Sequence, residues 1–448
     1  MRSLIRIFAA IALGLGQVIP APSPVVAAGT GRIGHFVVLM QENHTFDNYF
    51  GTFPKADGIP ANACMPTRRT TSTDCIKPYH IPTPRTSDPD HSRQSAVIAY
   101  NDGKMDGFAW AQSDRNLSAA VPMGYWDGSD LPLYWNLASD FVLADRFFSS
   151  AWGASQTNHL FWVAAQAAGG HGGIPERGFD VPTIFDRLQA ADVSWKMYVQ
   201  NYDPSQTFRA SDIHGPQIVW APLLAFPRFL DTPALHSRIV DLSEYYEDLQ
   251  EGTLPAVSYI VPSGSSEHPP GNVTTGQEFG SSLVVDFMRS SAWADGLFVV
   301  TYDDWGGYYD HVPPPQVDAD GYGFRVPAIF VSPYAKGGTI DHTVYDYTSL
   351  LRFIEDNWKL TPLTARDASA NSIAATLDLG QQPLRAQFPG RVYVGLAETR
   401  TPARLILIVS YAAAVLLLAV GSLLLLAPVR KRWGQMRGAV NRERRPSG

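Results

Sequence analysis

The stretch GHFVVLMQENHTFDNYFGTFP, residues 34–54, decides how the chain is read. Phe36 to Met40 form an unbroken apolar run, the signature of a strand buried on both faces. The run passes without a turn into Gln41, Glu42, Asn43, His44 and Thr45. An ordinary strand ends in Gly, Pro, Asn or Asp. This one ends in a carboxylate beside a carboxamide, groups that coordinate metals and phosphates. In an open α/β sheet, ligands bind beyond the carboxyl ends of the strands.

Working outward, strands are expected at 36–40, 193–199, 257–261, 297–302 and 326–331. Amphipathic stretches at 131–139, 182–191, 242–251, 281–290 and 347–357 read as helices between them. Near-continuous apolar strands alternating with helices predict a largely parallel sheet covered on both faces. The Gly/Pro-rich stretches 168–180 and 262–280 read as loops.

The segment LFVVTYDDWGGYYDHVPPP repeats the device of the first strand, ending in Asp303-Asp304. Adjacent carboxylates at an apolar strand tip repel each other and lose solvent, and a divalent cation is the usual compensation. Alone, the pair suits a turn with a helix cap equally well. With a second acidic tip at Glu42-Asn43, a metal site is the better reading. Hard oxygen ligands fit Mg, Ca or Mn, and zinc or iron stay open. A third element, Gly153-Ala154-Ser155-Gln156-Thr157, precedes a helix-like apolar run. A hydroxyl there is either a helix cap or a nucleophile at a helix end that attracts phosphate. His91, His268 and His311 lie in polar or Pro-flanked loops and suggest phosphate clamps or general acids.

The two ends have their own character. Residues 1–28 have the layout of a secretory signal peptide: Arg2 and Arg6, a short apolar run, then small residues. An uncleaved anchor is the alternative. Residues 405–429 are 25 residues without a charge, long enough to span a bilayer as a helix. The tail 430–448 carries seven Lys/Arg and one Glu, which places it in the cytoplasm and the main body outside, periplasmic or extracellular. Between them lie a main domain at 30–395 and a stalk at 396–404. The chain's net charge is −7, and setting aside the basic leader and tail makes the outer domain more acidic still. Such a domain does not suit nucleic acid. Cys64 and Cys75 are the two cysteines. In an exported compartment they can pair, contributing about 3 kcal/mol by loop closure. Two free thiols are the alternative.

ENHTFDNYFGTFP, DHSRQSAVIAYNDGKMDGF, GASQTNHLF, SEHP and TYDDWGGYYDHVPPP stand in this order from residue 42 onward. Together they resemble the phosphoesterase family of bacterial phospholipases C, plant non-specific phospholipases C and an acid phosphatase branch. The resemblance implies an alkaline-phosphatase-like α/β fold. It also implies one divalent metal held by Glu42, Asn43, Asp303, Asp304 and the hydroxyl nucleophile Ser155. His91 and His268 match family histidines around the phosphate, and His214 aligns poorly with another. The phospholipase branch carries Gly-Pro-Thr-x-Pro-Asn-Arg where this chain has Ser155, Thr157 and Asn158-His159. The serine leans toward the phosphatase branch and leaves Thr157 as a rival nucleophile.

The expectation is a membrane-anchored, exported, metal-dependent phosphoric ester hydrolase with a phosphoserine intermediate. Its partners are a phosphomonoester or phospholipid substrate and, through residues 405–429, the membrane. Catalytic roles fall to Ser155, His268 and His91, and substrate contacts to His91, His268 and His311. A phosphatidylcholine-type phospholipase C and a vestigial membrane-tethered binding protein are the rival readings.

Overall fold

A computed structural model gives the protein's structure and describes residues 32–69, 74–153, 155–210 and 215–393. The leader 1–28, the span 405–429, the tail 430–448, the stalk 396–404 and His214 lie outside the described residues. Among the described residues, no helix is long and apolar enough to cross a membrane. The main body forms one compact unit ending at Tyr393.

Its centre is an eight-stranded sheet. The strands are β1 His35–Gln41, β2 Val142–Ala144, β3 Trp195–Val199, β4 Ile239–Asp241, β5 Val257–Val261, β6 Gly296–Tyr302, β7 Ala328–Val331 and β8 Thr339–Asp341. They lie side by side in the order β8-β2-β7-β6-β1-β5-β3-β4. Only β7 runs against its neighbours β6 and β2. The remaining pairings are parallel. Successive side chains of a strand point to opposite faces. Every residue of β5, β6 and β7 is buried, and so is β1 after His35. Both faces of the sheet centre are therefore covered, as the unbroken apolar runs predict.

The central pair positions the site. β1 and β6 run parallel with Gln41 opposite Tyr302. Glu42-Asn43 and Asp303-Asp304 therefore leave the same edge of the sheet side by side. The amide of Asp303 continues the ladder by donating to the Gln41 carbonyl at 3.0 Å.

Most expected helices appear within a residue or two, at Pro132–Asp140, Ile184–Ala190, Ser243–Glu251 and Tyr347–Trp358. One does not. The helix expected at 281–290 begins at Val273 and runs to Arg289. It takes the end of the expected loop 262–280 with it. Asn272 caps this helix, its side chain accepting from the amides of Thr274 and Thr275. The glycine that suggested a loop is there for close approach. A Cβ on Gly276 would stand 2.0 Å from Cγ of Glu267.

Cys64 and Cys75 are joined in a disulfide with Cα atoms 5.4 Å apart. It ties a small antiparallel pair, Met65–Pro66 with Cys75–Ile76, away from the main sheet.

Candidate active site

The helix Ser155–Ala164 brings its first residue to the tips of β1 and β6. Its approach loop is held by Asn158. That side chain accepts from the Ala151 amide at 2.9 Å and donates to the Gly153 carbonyl at 3.3 Å. Gly153 has φ 114, a conformation that side chains disfavour, and a Cβ there would lie 3.0 Å from Cβ of Arg93. The result is a hydroxyl at a helix N-terminus, aimed at acidic groups. Ser155 Oγ donates to Glu42 Oε2 at 3.1 Å and lies 3.4 Å from Asp304 Oδ2. Thr157 forms no hydrogen bond to these carboxylates among the described residues. Two positions along a helix turn it some 200° away from Ser155.

His159 joins the group, one helical turn after Ser155. Its Nε2 lies 2.8 Å from Glu42 Oε1 and 4.0 Å from Asp303 Oδ2. Glu42, His159 and Asp303 each offer a ligand atom within 4.8 Å of the others, and all three are buried. The electrostatics are strained. Burial, reinforced by the charges of Asp303 and Asp304, pushes Glu42 far above the usual carboxylate range. Burial, then Asp304, lifts Asp303 to about 8. Burial, then Asp88, lifts Asp304 to about 8. Burial also lowers His159 to about 3, which keeps it a neutral imidazole able to act as a ligand.

Asn43 shows what would relieve this strain. With its Oδ1 toward the carboxylates, that oxygen meets only acceptors: Asp303 at 2.6 and 3.1 Å and Glu42 Oε2 at 3.1 Å. Without a cation, the amide does better turned over, donating to all three and presenting oxygen to His268 and His91. With a cation among the carboxylates, the Oδ1-inward orientation becomes a ligand set of carboxylate, amide, hydroxyl and imidazole. The donor set therefore fits a divalent cation. Asn43 also sits at φ 151, rare for a residue other than glycine. Such strain clusters at functional sites.

Two histidines stand on the rim. His91 places Nδ1 2.9 Å from the Pro89 carbonyl, and His268 places Nδ1 2.7 Å from the Pro269 carbonyl. Each thereby turns Nε2 toward Asn43, at 3.2 Å and 3.0 Å. The Trp305 indole donates to the His91 carbonyl at 3.2 Å.

The structure thus brings together Glu42, Asn43, Ser155, Asp303, Asp304, His91 and His268. It does not bring His311 to them. His311 Nδ1 lies 2.7 Å from Asp47 Oδ2 and its Nε2 lies 3.2 Å from Asp57 Oδ1. The buried Arg325 sits in the same cluster, paired with Asp310 at 2.9 Å and Asp47 at 3.0 Å. Two acidic neighbours hold His311 in this ion-pair network, so the expected substrate contact does not fit it.

Sequence reading also missed His159, treated there only as a departure from a family pattern. Its place four residues after Ser155, on the same helix face, was the available signal. Glu267, next to His268 in the sequence, points its side chain into the interior. There it accepts hydroxyls from Tyr49 at 2.5 Å, Tyr134 at 2.7 Å and Tyr302 at 2.7 Å. Burial still raises it to about 7, against the lowering effect of the three phenols. Its amide donates to Gln41 Oε1 at 3.3 Å. The group ties the tips of β1 and β6 to the loop that carries His268.

The chain matches the Phosphoesterase family over residues 33–361. It is 29% identical over 392 residues to a non-hemolytic phospholipase C of Pseudomonas aeruginosa, covering 73% of this chain and 54% of that protein. It is 29% identical over 384 residues to phospholipase C A of Mycobacterium tuberculosis, covering 72% of each. The chain therefore spans only about half of the Pseudomonas relative. Among solved structures it resembles a protein in the alkaline phosphatase superfamily from Vibrio parahaemolyticus. There the TM-score is 0.35 and the identity 10%, with 75% of this chain and 69% of that one covered.

Proposed function

From the premise that this chain belongs to the phosphoesterase family, we propose that it is a metal-dependent phosphoric ester hydrolase of alkaline-phosphatase-like fold, with Ser155 as nucleophile. One observation carries the reading. A serine hydroxyl at a helix N-terminus contacts Glu42 and Asp304 where two parallel strands end, and two histidines present Nε2 to the same point.

Glu42, Asn43, Asp303, Asp304, His159 and Ser155 Oγ would hold one divalent cation, which supplies Lewis-acid charge to the serine and to a phosphoryl oxygen. Ser155 Oγ passes its proton to the Glu42 carboxylate, to which it already donates, and attacks phosphorus in line. The Oγ–P bond forms as the bond from phosphorus to the ester oxygen breaks, and the leaving oxygen takes its proton from His268. His91 steadies phosphoryl oxygens from the other side of Asn43. Water then attacks the phosphoserine and gives a proton to His268, the Oγ–P bond breaks, and Ser155 takes its proton back from Glu42. Cleaving a monoester this way releases phosphate, and cleaving a phospholipid releases a phosphorylated headgroup.

Two relatives are named phospholipase C. That favours a lipid substrate as a second reading. A leader at 1–28 and a span at 405–429, with the catalytic domain outside the cytoplasm, would set the site beside a bilayer. Assaying the purified protein on a phosphomonoester and on phosphatidylcholine separates the two. Rapid acid quench during turnover should label a peptide containing Ser155. Ser155→Ala should lose at least about a thousandfold in rate, while Thr157→Ala keeps most activity. A label on Thr157 or on a histidine would overturn the nucleophile. A protein that hydrolyses neither ester would support the vestigial binding reading instead.

A further inference from the structure

A hollow of about 410 Å³ opens directly beside the catalytic serine. Its lining includes Ser155 and His268 together with Pro216, Val219, Trp220, Pro269 and Pro270. Ser263 and Ser266 add hydroxyls. Trp220 ends the short helix Pro216–Trp220, and its ring centre lies 6.2 Å from that of His268, tilted by 31°. His268 is thus shared, its Nε2 facing Asn43 and its ring forming part of the hollow's wall.

We propose that this hollow receives the leaving alcohol of the phosphoric ester and selects alcohols that are uncharged and apolar next to the ester oxygen. The inference rests on the hydrolase reading above, because it uses His268 as the proton donor to the leaving oxygen. An alkoxide oxygen protonated by His268 must lie near that ring. The carbon it carries then continues past the imidazole into the hollow. Of the described lining residues, His268 alone is ionisable. No carboxylate among them would balance a cationic alcohol, and no lysine or arginine among them would hold an anionic one. Indole, proline and valine surfaces suit a flat or aliphatic group, and the serine hydroxyls leave room for a neutral glycerol-like one.

Binding and turnover test this separately. Wild-type protein should bind 2-naphthylphosphonate at least about tenfold more tightly than methylphosphonate, the gain expected for seating one aromatic group. Trp220→Ala should erase that preference while holding methylphosphonate within about twofold of wild type. The retained methylphosphonate affinity reports that the site is still folded. Trp220→Phe should restore part of the preference. In turnover, Trp220→Ala should lower kcat/KM for 2-naphthyl phosphate by at least about tenfold more than for ethyl phosphate. An equal fall for both substrates, or no naphthyl preference in the wild type, overturns the assignment. Phosphocholine outperforming ethyl phosphate overturns its uncharged character. A naphthyl preference in binding without hydrolysis of any phosphoric ester overturns the hydrolase reading instead, and leaves an apolar binding pocket.

Discussion

Replacing Glu267 by Gln should change how stability depends on pH, by an amount the structure sets. The carboxyl is fully buried among three tyrosine hydroxyls, and burial raises it from 4.5 to about 7. A carboxyl whose folded value lies above its unfolded one holds its proton more tightly in the folded protein. Its contribution to stability is therefore present below 4.5 and is lost as pH rises through about 7. The shift corresponds to about 3 kcal/mol. Gln keeps the size of the side chain and an acceptor oxygen, and it does not titrate. Urea unfolding of both proteins at pH 4.5 and pH 8 isolates the term. Glu42, Asp303 and Asp304 titrate in both and cancel in the difference. With an m-value of about 3 kcal/mol/M, the wild-type midpoint should fall about 1 M further than that of Glu267→Gln over this interval. Parallel pH curves would show that Glu267 does not titrate there, and the reasoning from burial would be wrong.

Three other outcomes follow from the geometry. A strong chelator should abolish hydrolysis of a phosphomonoester, and Asp304→Asn should weaken Mn²⁺ affinity measured by calorimetry; full activity in demonstrably metal-free protein would remove the metal from the mechanism. Arg325→Met strips the cation from buried Asp47 and Asp310 and should cost about 3–5 kcal/mol in urea unfolding, whereas an unchanged midpoint would show that this ion-pair network contributes nothing net. A reporter fused after Gly448 should stay cytoplasmic and one fused after Ala397 should be exported, the reverse pattern contradicting an outer catalytic domain.

The sheet centre was legible because its strands are apolar without interruption. The run 36–40 became β1 with one residue added at each end, and 297–302 became β6 with one added at its start. β2, β4 and β8 have three residues each, too short for a periodic signal, and they form from pairing rather than from pattern. The site was legible where chemistry interrupts a strand, at Glu42-Asn43 and Asp303-Asp304. It was less so on helices. His159 lies inside an apolar helical run, where a lone histidine reads as core, and only the serine one turn earlier marks its face. His311 lies in a loop between an aspartate and a proline-rich stretch, a setting that suggested a phosphate clamp. What sequence cannot show is that Asp47 and Arg325 reach across the fold to claim it. The start of the Val273–Arg289 helix was hidden because its glycines discourage a helix locally, while close approach to Glu267 requires one of them.

The pairing of Gln41 with Tyr302 has a consequence for the order of events in the protein's life. Glu42 and Asp303 stand 261 residues apart in the sequence and meet only when β1 and β6 have paired. Such distant pairings form late, after the closure of a very long loop. A nascent or translocating chain therefore holds no cation cage, only scattered acids. If the protein crosses a membrane unfolded, the ion is acquired where folding finishes, and the supply in that compartment, as much as the ligand set, decides which metal the enzyme works with.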